Sequence, residues 1–149
     1  MKIAIGADHG GVDLKKEVMD FLEKNGYEVI NFGTDTHDAV DYPDIAEKVA
    51  LAVKDGKADR GILICGTGIG ISIAANKIPG IRCALLSDVF SAKATREHND
   101  ANIMAMGGRV MGPGLALEIV NAFLTTEFSN GERHINRIHK ISELEKKYR

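Results

Sequence analysis

The chain has 149 residues, 44% of them hydrophobic and 27% charged, with a formal net charge of -2. That suits one folded domain and excludes a disordered or fibrous chain and a broadly basic nucleic-acid binder. No run approaches the roughly 18 to 20 apolar residues of a membrane helix. Met1 to Gly6 lacks the apolar core of a signal peptide, and Cys65 and Cys83 make no disulfide framework, so a cytoplasmic protein is expected.

Short β-branched runs alternate with longer amphipathic ones. Ile3 to Gly6 reads as a first strand, and Leu14 to Asn25 as a helix with Leu14, Val18, Phe21 and Leu22 on one face, closed by Gly26. Tyr27 to Phe32 alternates as strand two. Pro43 suits the first turn of a helix running to about Lys54. Arg60 to Cys65 is strand three. The glycine loop Cys65-Gly66-Thr67-Gly68-Ile69-Gly70 follows, then a helical segment from Ile71 to Lys77.

Ile81 to Leu86 is strand four, and a helix from Ser87 to about His98 has Ser87 or Asp88 as its cap. Asn102 to Met106 is strand five, and Gly112-Pro113 opens a helix to about Thr125 with Leu117, Val120 and Leu124 inward. Glu132 to Arg149 is a charged helix that projects as an arm beginning near residue 130. Strand and helix in alternation predict a single α/β domain over residues 1–149, a Rossmann-like, doubly wound, parallel five-stranded sheet with a C-terminal helical arm.

In such sheets ligands bind beyond the carboxyl ends of the strands. Asp8-His9-Gly10-Gly11, the Cys65 loop and Gly107-Gly108-Arg109 all follow strands; His98-Asn99-Asp100 precedes one and fits that rule poorly. Glycines let the Cys65 loop turn successive N–H groups toward one spot, and donors around a thiol favour its thiolate. Taken alone, Cys65 is as readily a packing residue, and Cys83, inside a strand, reads as core. His98 sits in a polar run, Arg96 to Asp100, and could be solvated or a proton carrier.

The loop is neither a dinucleotide fingerprint nor a P-loop, so nucleotide cofactors are disfavoured. A metal held by His9, His98 and Cys65 lacks any supporting ligand spacing. Arg133 and Arg137 lie on one helical face and, with Arg109, could hold a phosphate monoester or could be a solvated basic surface. If the arm projects, they could serve a neighbouring subunit.

The motifs Gly6-Ala7-Asp8-His9-Gly10-Gly11, Asp41-Tyr42-Pro43, Cys65 to Gly70, Ala75-Asn76-Lys77, His98 to Asn102, Gly107-Gly108-Arg109 and Arg133-His134-x-x-Arg137 together resemble ribose-5-phosphate isomerase, type B, over nearly the whole chain. The resemblance implies interconversion of ribose 5-phosphate and ribulose 5-phosphate, without metal or organic cofactor. It also implies a homodimer, or a tetramer, with sites shared between subunits.

It makes Cys65 the base, since Ile71 stands where another branch of the family carries a glutamate. Asp8 and His98 would open the sugar ring, and Thr67 with the backbone of Gly66, Gly68, Ile69 and Gly70 would hold the enediolate. His9, Arg109, Arg133 and Arg137 would bind phosphate, the last two from the partner, and Asn99 would orient the sugar. Isomerases of six-carbon sugar phosphates share these motifs. A non-catalytic phosphosugar-binding module would explain the arginines but not the thiol and imidazole. A cysteine phosphatase would need arginine at Ile71.

Overall fold

A computed structural model describes all residues, Met1–Arg149. Five strands form one parallel sheet: β1 (Lys2–Ala7), β2 (Glu28–Asn31), β3 (Arg60–Cys65), β4 (Cys83–Leu85) and β5 (Ile103–Gly107), in the order β2-β1-β3-β5-β4. Between and after them run α1 (Val12–Lys24), α2 (Tyr42–Lys54), α3 (Ile69–Ala75), α4 (Val89–Asn99), α5 (Pro113–Thr125) and α6 (Glu132–Lys147). No helix is long and apolar enough to cross a membrane.

The alternation of side chains along each strand divides the core in two. Ile3, Ile5, Ile62, Ile64, Met104 and Met106 face one way, against Leu14, Val18, Phe123 and Ala92 of α1, α5 and α4. Ala4, Leu63, Cys65, Ile103 and Ala105 face the other, against Ile45, Val49, Ile71 and Ala75 of α2 and α3. Helices cover both faces, as the doubly wound reading requires.

The departures from expectation are local. The helix expected from Ile71 starts at Ile69, because Gly68 turns the chain with φ +82 and serves as its N-cap. β4 is only three residues long. Ile81 is held in a turn by Ile78 O, and the Arg82 amide donates to Asn102 Oδ1 rather than to a ladder partner. Asp88, not Ser87, caps α4, its carboxylate accepting the Ser91 N–H. Leu117, expected to point inward, is half-buried beside fully buried Val120. Cys83 packs on the second cluster from the sheet edge, and burial pushes its thiol up to about 12.

The arm, α6, buries His134 alone. Ile135, Ile141 and Leu144 stay exposed, and the Gly80 N–H donates to Glu145 near its far end.

Candidate active site

Because β1, β3 and β5 are neighbours, the loops leaving their carboxyl ends adjoin at the point where the chain switches direction across the sheet. They meet backbone against backbone. The Gly108 N–H donates to Cys65 O at 2.8 Å, and the Arg109 N–H to Gly66 O at 3.0 Å. A Cβ on Gly10 would lie 2.9 Å from the Gly66 nitrogen, and one on Gly108 would lie 2.6 Å from Gly10 O. Only glycine permits that approach.

At the centre is Cys65, at 5% exposure, whose Sγ accepts the Gly68 N–H at 3.1 Å. The left-handed turn at Gly68 brings this amide back over the sulfur. The Ile69 N–H is engaged by Thr67 Oγ1 at 3.2 Å. The amides of Gly66, Thr67, Gly70 and Ile71 find no acceptor in the chain, the last two because a helix's first turn has none to offer. Four free donors therefore line the loop that carries the thiol, as an anion hole requires.

Asp8 is buried, and its Oδ1 accepts the Gly10 N–H at 2.8 Å, which fixes the carboxylate beside the loop. His9 Nδ1 accepts the Val40 N–H at 3.3 Å, so the ring proton of neutral His9 sits on Nε2. Arg109 lies along Gly66, its Nη1 3.4 Å from where a Cβ would stand, and has no carboxylate partner.

The remaining predicted residues lie elsewhere. His98 and Asn99 end α4 at the opposite, amino edge of the sheet, just before β5 begins. From Ile103 to Gly107, β5 spans four residue steps, or about 13 Å at ~3.3 Å each. This end of α4 is pinned. Arg82 donates to Asn99 O and Asp100 O, while Arg96, at 3% exposure, donates to Asp100 Oδ1, Ala101 O and Thr126 O and lies over the Phe123 ring.

Within the run Arg96 to Asp100, Glu97, His98 and Asn99 are exposed, but the run is anchored through the buried Arg96 guanidinium on an aromatic ring. His98 also has a partner unforeseen from sequence. Its ring stacks on His134 of α6, centroids 4.5 Å apart and planes at 15°. His134 is held below the usual imidazole range, first by burial, then by Arg133, His98 and Arg137. Arg133 and Arg137 are exposed beside this pair and free of carboxylates.

Within one chain the predicted site residues therefore fall into two separate halves. Asp8, His9, the Cys65 to Gly70 loop and Arg109 share the carboxyl edge; His98, Asn99, Arg133 and Arg137 share the amino edge. The sequence places all of them in one list but does not show this division.

Two residues given no role from sequence shape the carboxyl-edge half. The tip of Tyr42 packs on Gly70, where a Cβ would lie 2.6 Å from Cζ and 2.9 Å from Oη. Pro43 in the first turn of α2 was the available signal for its placement. Lys15, at 2% side-chain exposure, donates to Asn31 Oδ1 at 2.7 Å and Asp35 Oδ1 at 2.6 Å. Its hydrogen bond holds the Asp35 carboxyl below the usual range, helped by Asn31. No group of three or more His, Cys, Asp or Glu side chains is arranged to hold a metal ion.

In sequence and fold the chain is similar to known proteins. The Ribose/Galactose Isomerase family model matches residues 3–141. A solved structure of Clostridium thermocellum ribose-5-phosphate isomerase B is 61% identical, with 100% of both chains covered and a TM-score of 0.98. Ribose-5-phosphate isomerase B of Escherichia coli (strain K12) is 49% identical over 98% of this chain and 97% of its own length. D-erythrulose-4-phosphate isomerase of Pectobacterium atrosepticum is 48% identical over 88% of this chain and 87% of its own.

Proposed function

This chain belongs to the ribose/galactose isomerase family and is an aldose–ketose isomerase of sugar phosphates; we propose that it interconverts ribose 5-phosphate and ribulose 5-phosphate through an enediolate. The observation that carries this reading is the thiol of Cys65 set in a loop with four unpaired amides. Isomerisation requires removal of a carbon-bound proton and stabilisation of the oxygen that becomes negative. In the proposed step, Cys65 Sγ takes the C2 proton of the aldose. Electrons move into a C1–C2 double bond, and charge develops on the C1 oxygen, where the amides of Gly66 to Gly70 and the Thr67 hydroxyl await it. The C2 hydroxyl proton passes to the C1 oxygen, the carbonyl re-forms at C2, and Cys65 returns its proton to C1.

Preorganised donors are worth on the order of 3 kcal/mol each where one has been removed from an enzyme. Asp8 and His98 would open the furanose ring, His98 giving the proton to the ring oxygen. His9 Nε2–H and Arg109 would anchor phosphate at one end of the loop, with Arg133 and Arg137, and Asn99 would orient the sugar. Holding the phosphate keeps C1 and C2 opposite the sulfur.

The separation of the two half-sites supports a homodimer in which each carboxyl-edge half is completed by a partner's amino-edge half. A two-fold axis would generate two such sites. The proposed setting is the cytoplasm, where both free thiols would stay reduced.

The test is turnover by chelator-treated protein of ribose 5-phosphate, allose 6-phosphate, galactose 6-phosphate and D-erythrulose 4-phosphate in parallel. Ribose 5-phosphate is expected to react most efficiently, and Cys65→Ala to abolish its turnover while binding persists. Preference for a four- or six-carbon substrate would overturn the substrate assignment and leave the mechanism standing. Turnover by Cys65→Ala would remove Cys65 from the role of base.

A further inference from the structure

The motif Asp41-Tyr42-Pro43 has no part in the mechanism above, yet it places a phenol against the last glycine of the amide loop. The loop has two ends. Arg109 lies along the first, at Gly66, and the Tyr42 ring tip lies on the last, at Gly70. Tyr42 is 39% exposed, and its hydroxyl makes no hydrogen bond within the chain. Gly70, the residue its tip covers, has an unpaired N–H. A phenol is a strong donor with no partner here, standing at the end of the loop farthest from the cationic group.

The segment that delivers Tyr42 is tied down at three points. Lys15 holds Asn31 and Asp35 at its start. Gly33 O accepts the Ala7 N–H at 2.7 Å, and the Thr34 N–H donates to Ala7 O at 2.6 Å, one residue before Asp8. The Val40 N–H donates to His9 Nδ1. Pro43 then fixes the backbone as α2 begins. The ring is thereby presented against Gly70 by the same tethers that place Asp8 and His9.

From this arrangement we propose that the Tyr42 hydroxyl is a further substrate-binding group, donating a hydrogen bond to the oxygen at the carbonyl end of the open-chain sugar phosphate. The substrate lies along the loop, phosphate toward Gly66 and Arg109, C1 toward Gly70 and Tyr42. This assignment rests on the isomerase reading, and it gives the substrate a direction in the site.

The experiment compares the full-length protein with Tyr42→Phe, which keeps the ring on Gly70 and deletes only the hydroxyl. Turnover is measured on the substrate the unsubstituted protein uses best, together with inhibition by inorganic phosphate. Loss of one neutral hydrogen bond is expected to lower kcat/KM about tenfold. Inhibition by inorganic phosphate should be unchanged, because that anion occupies the Arg109 end. Unchanged kcat/KM in Tyr42→Phe would overturn the proposal. A parallel loss of phosphate inhibition would also overturn it, since it would show the hydroxyl acting through the shape of the whole loop. If the unsubstituted protein turns over no sugar phosphate, the isomerase reading fails, an outcome visible before any variant is compared.

Discussion

Two inactive variants should restore each other's activity if the site is shared between subunits. One carries Cys65→Ala, damaging the carboxyl-edge half; the other carries His98→Asn with Arg137→Ala, damaging the amino-edge half. Within one chain the halves are separated by the length of β5, about 13 Å, and α4 cannot swing across because Arg82 and Arg96 hold its end. In a mixed dimer, one site therefore collects both lesions and the other collects none. Equal amounts paired at random put about half the protein in mixed dimers, so activity should recover to about one quarter of the unsubstituted level. The assay is turnover after co-refolding the two variants, with mass spectrometry to count mixed dimers. Activity no greater than the mean of the two parents, with mixed dimers present, would refute the division of the site.

Arg96→Met should be strongly destabilising. It strands the Ala101 and Thr126 carbonyls that the guanidinium now satisfies, a loss of about 2–4 kcal/mol, while Asp100, 40% exposed and also paired with Arg82, is resolvated. At a fixed protein concentration, Tm should fall by roughly 10 °C, and a fall within the noise of the melt would contradict the buried role of Arg96. His134 titrates below its unfolded value of about 6.5, so the unfolded chain binds more protons in the interval between. Stability is complete above that value and is lost as pH falls through the interval toward the folded pKa. Urea denaturation from about pH 7.5 to 5.5 should show a shallower decline in His134→Asn than in the unsubstituted protein. Equal declines would show that the imidazole does not titrate differently on folding.

Much of this molecule is visible in its residues. The β-branched runs mark the strands to within two or three residues, with β3 matching at both ends, because central parallel strands are buried on both faces. The loop after Cys65 was legible because its glycines have few other uses. The buried charges were not. Lys15 stands between Leu14 and Lys16 and reads as a solvated helix position, since its partners Asn31 and Asp35 are 16 and 20 residues away. Arg96 is similar, depending on Thr126 and on the ring of Phe123. The separation of the predicted site residues is a property of sheet direction: His98 and Cys65 adjoin neighbouring strands at opposite ends, which no local pattern records.

The glycine contacts between the three loops bear on how such a site changes over generations. Where Gly10 meets Gly66 and Gly108 meets Gly10, there is no volume for any side chain, so selection has nothing to vary there. What is fixed there is the backbone that carries the free amides around Cys65. On the proposed reading, variation in what the site accepts would enter through the positions that still project a side chain at the rim, Tyr42, Thr67 and Arg109, and through the partner copy that reading invokes. A lineage can thus exchange one sugar for another while its reaction stays the same.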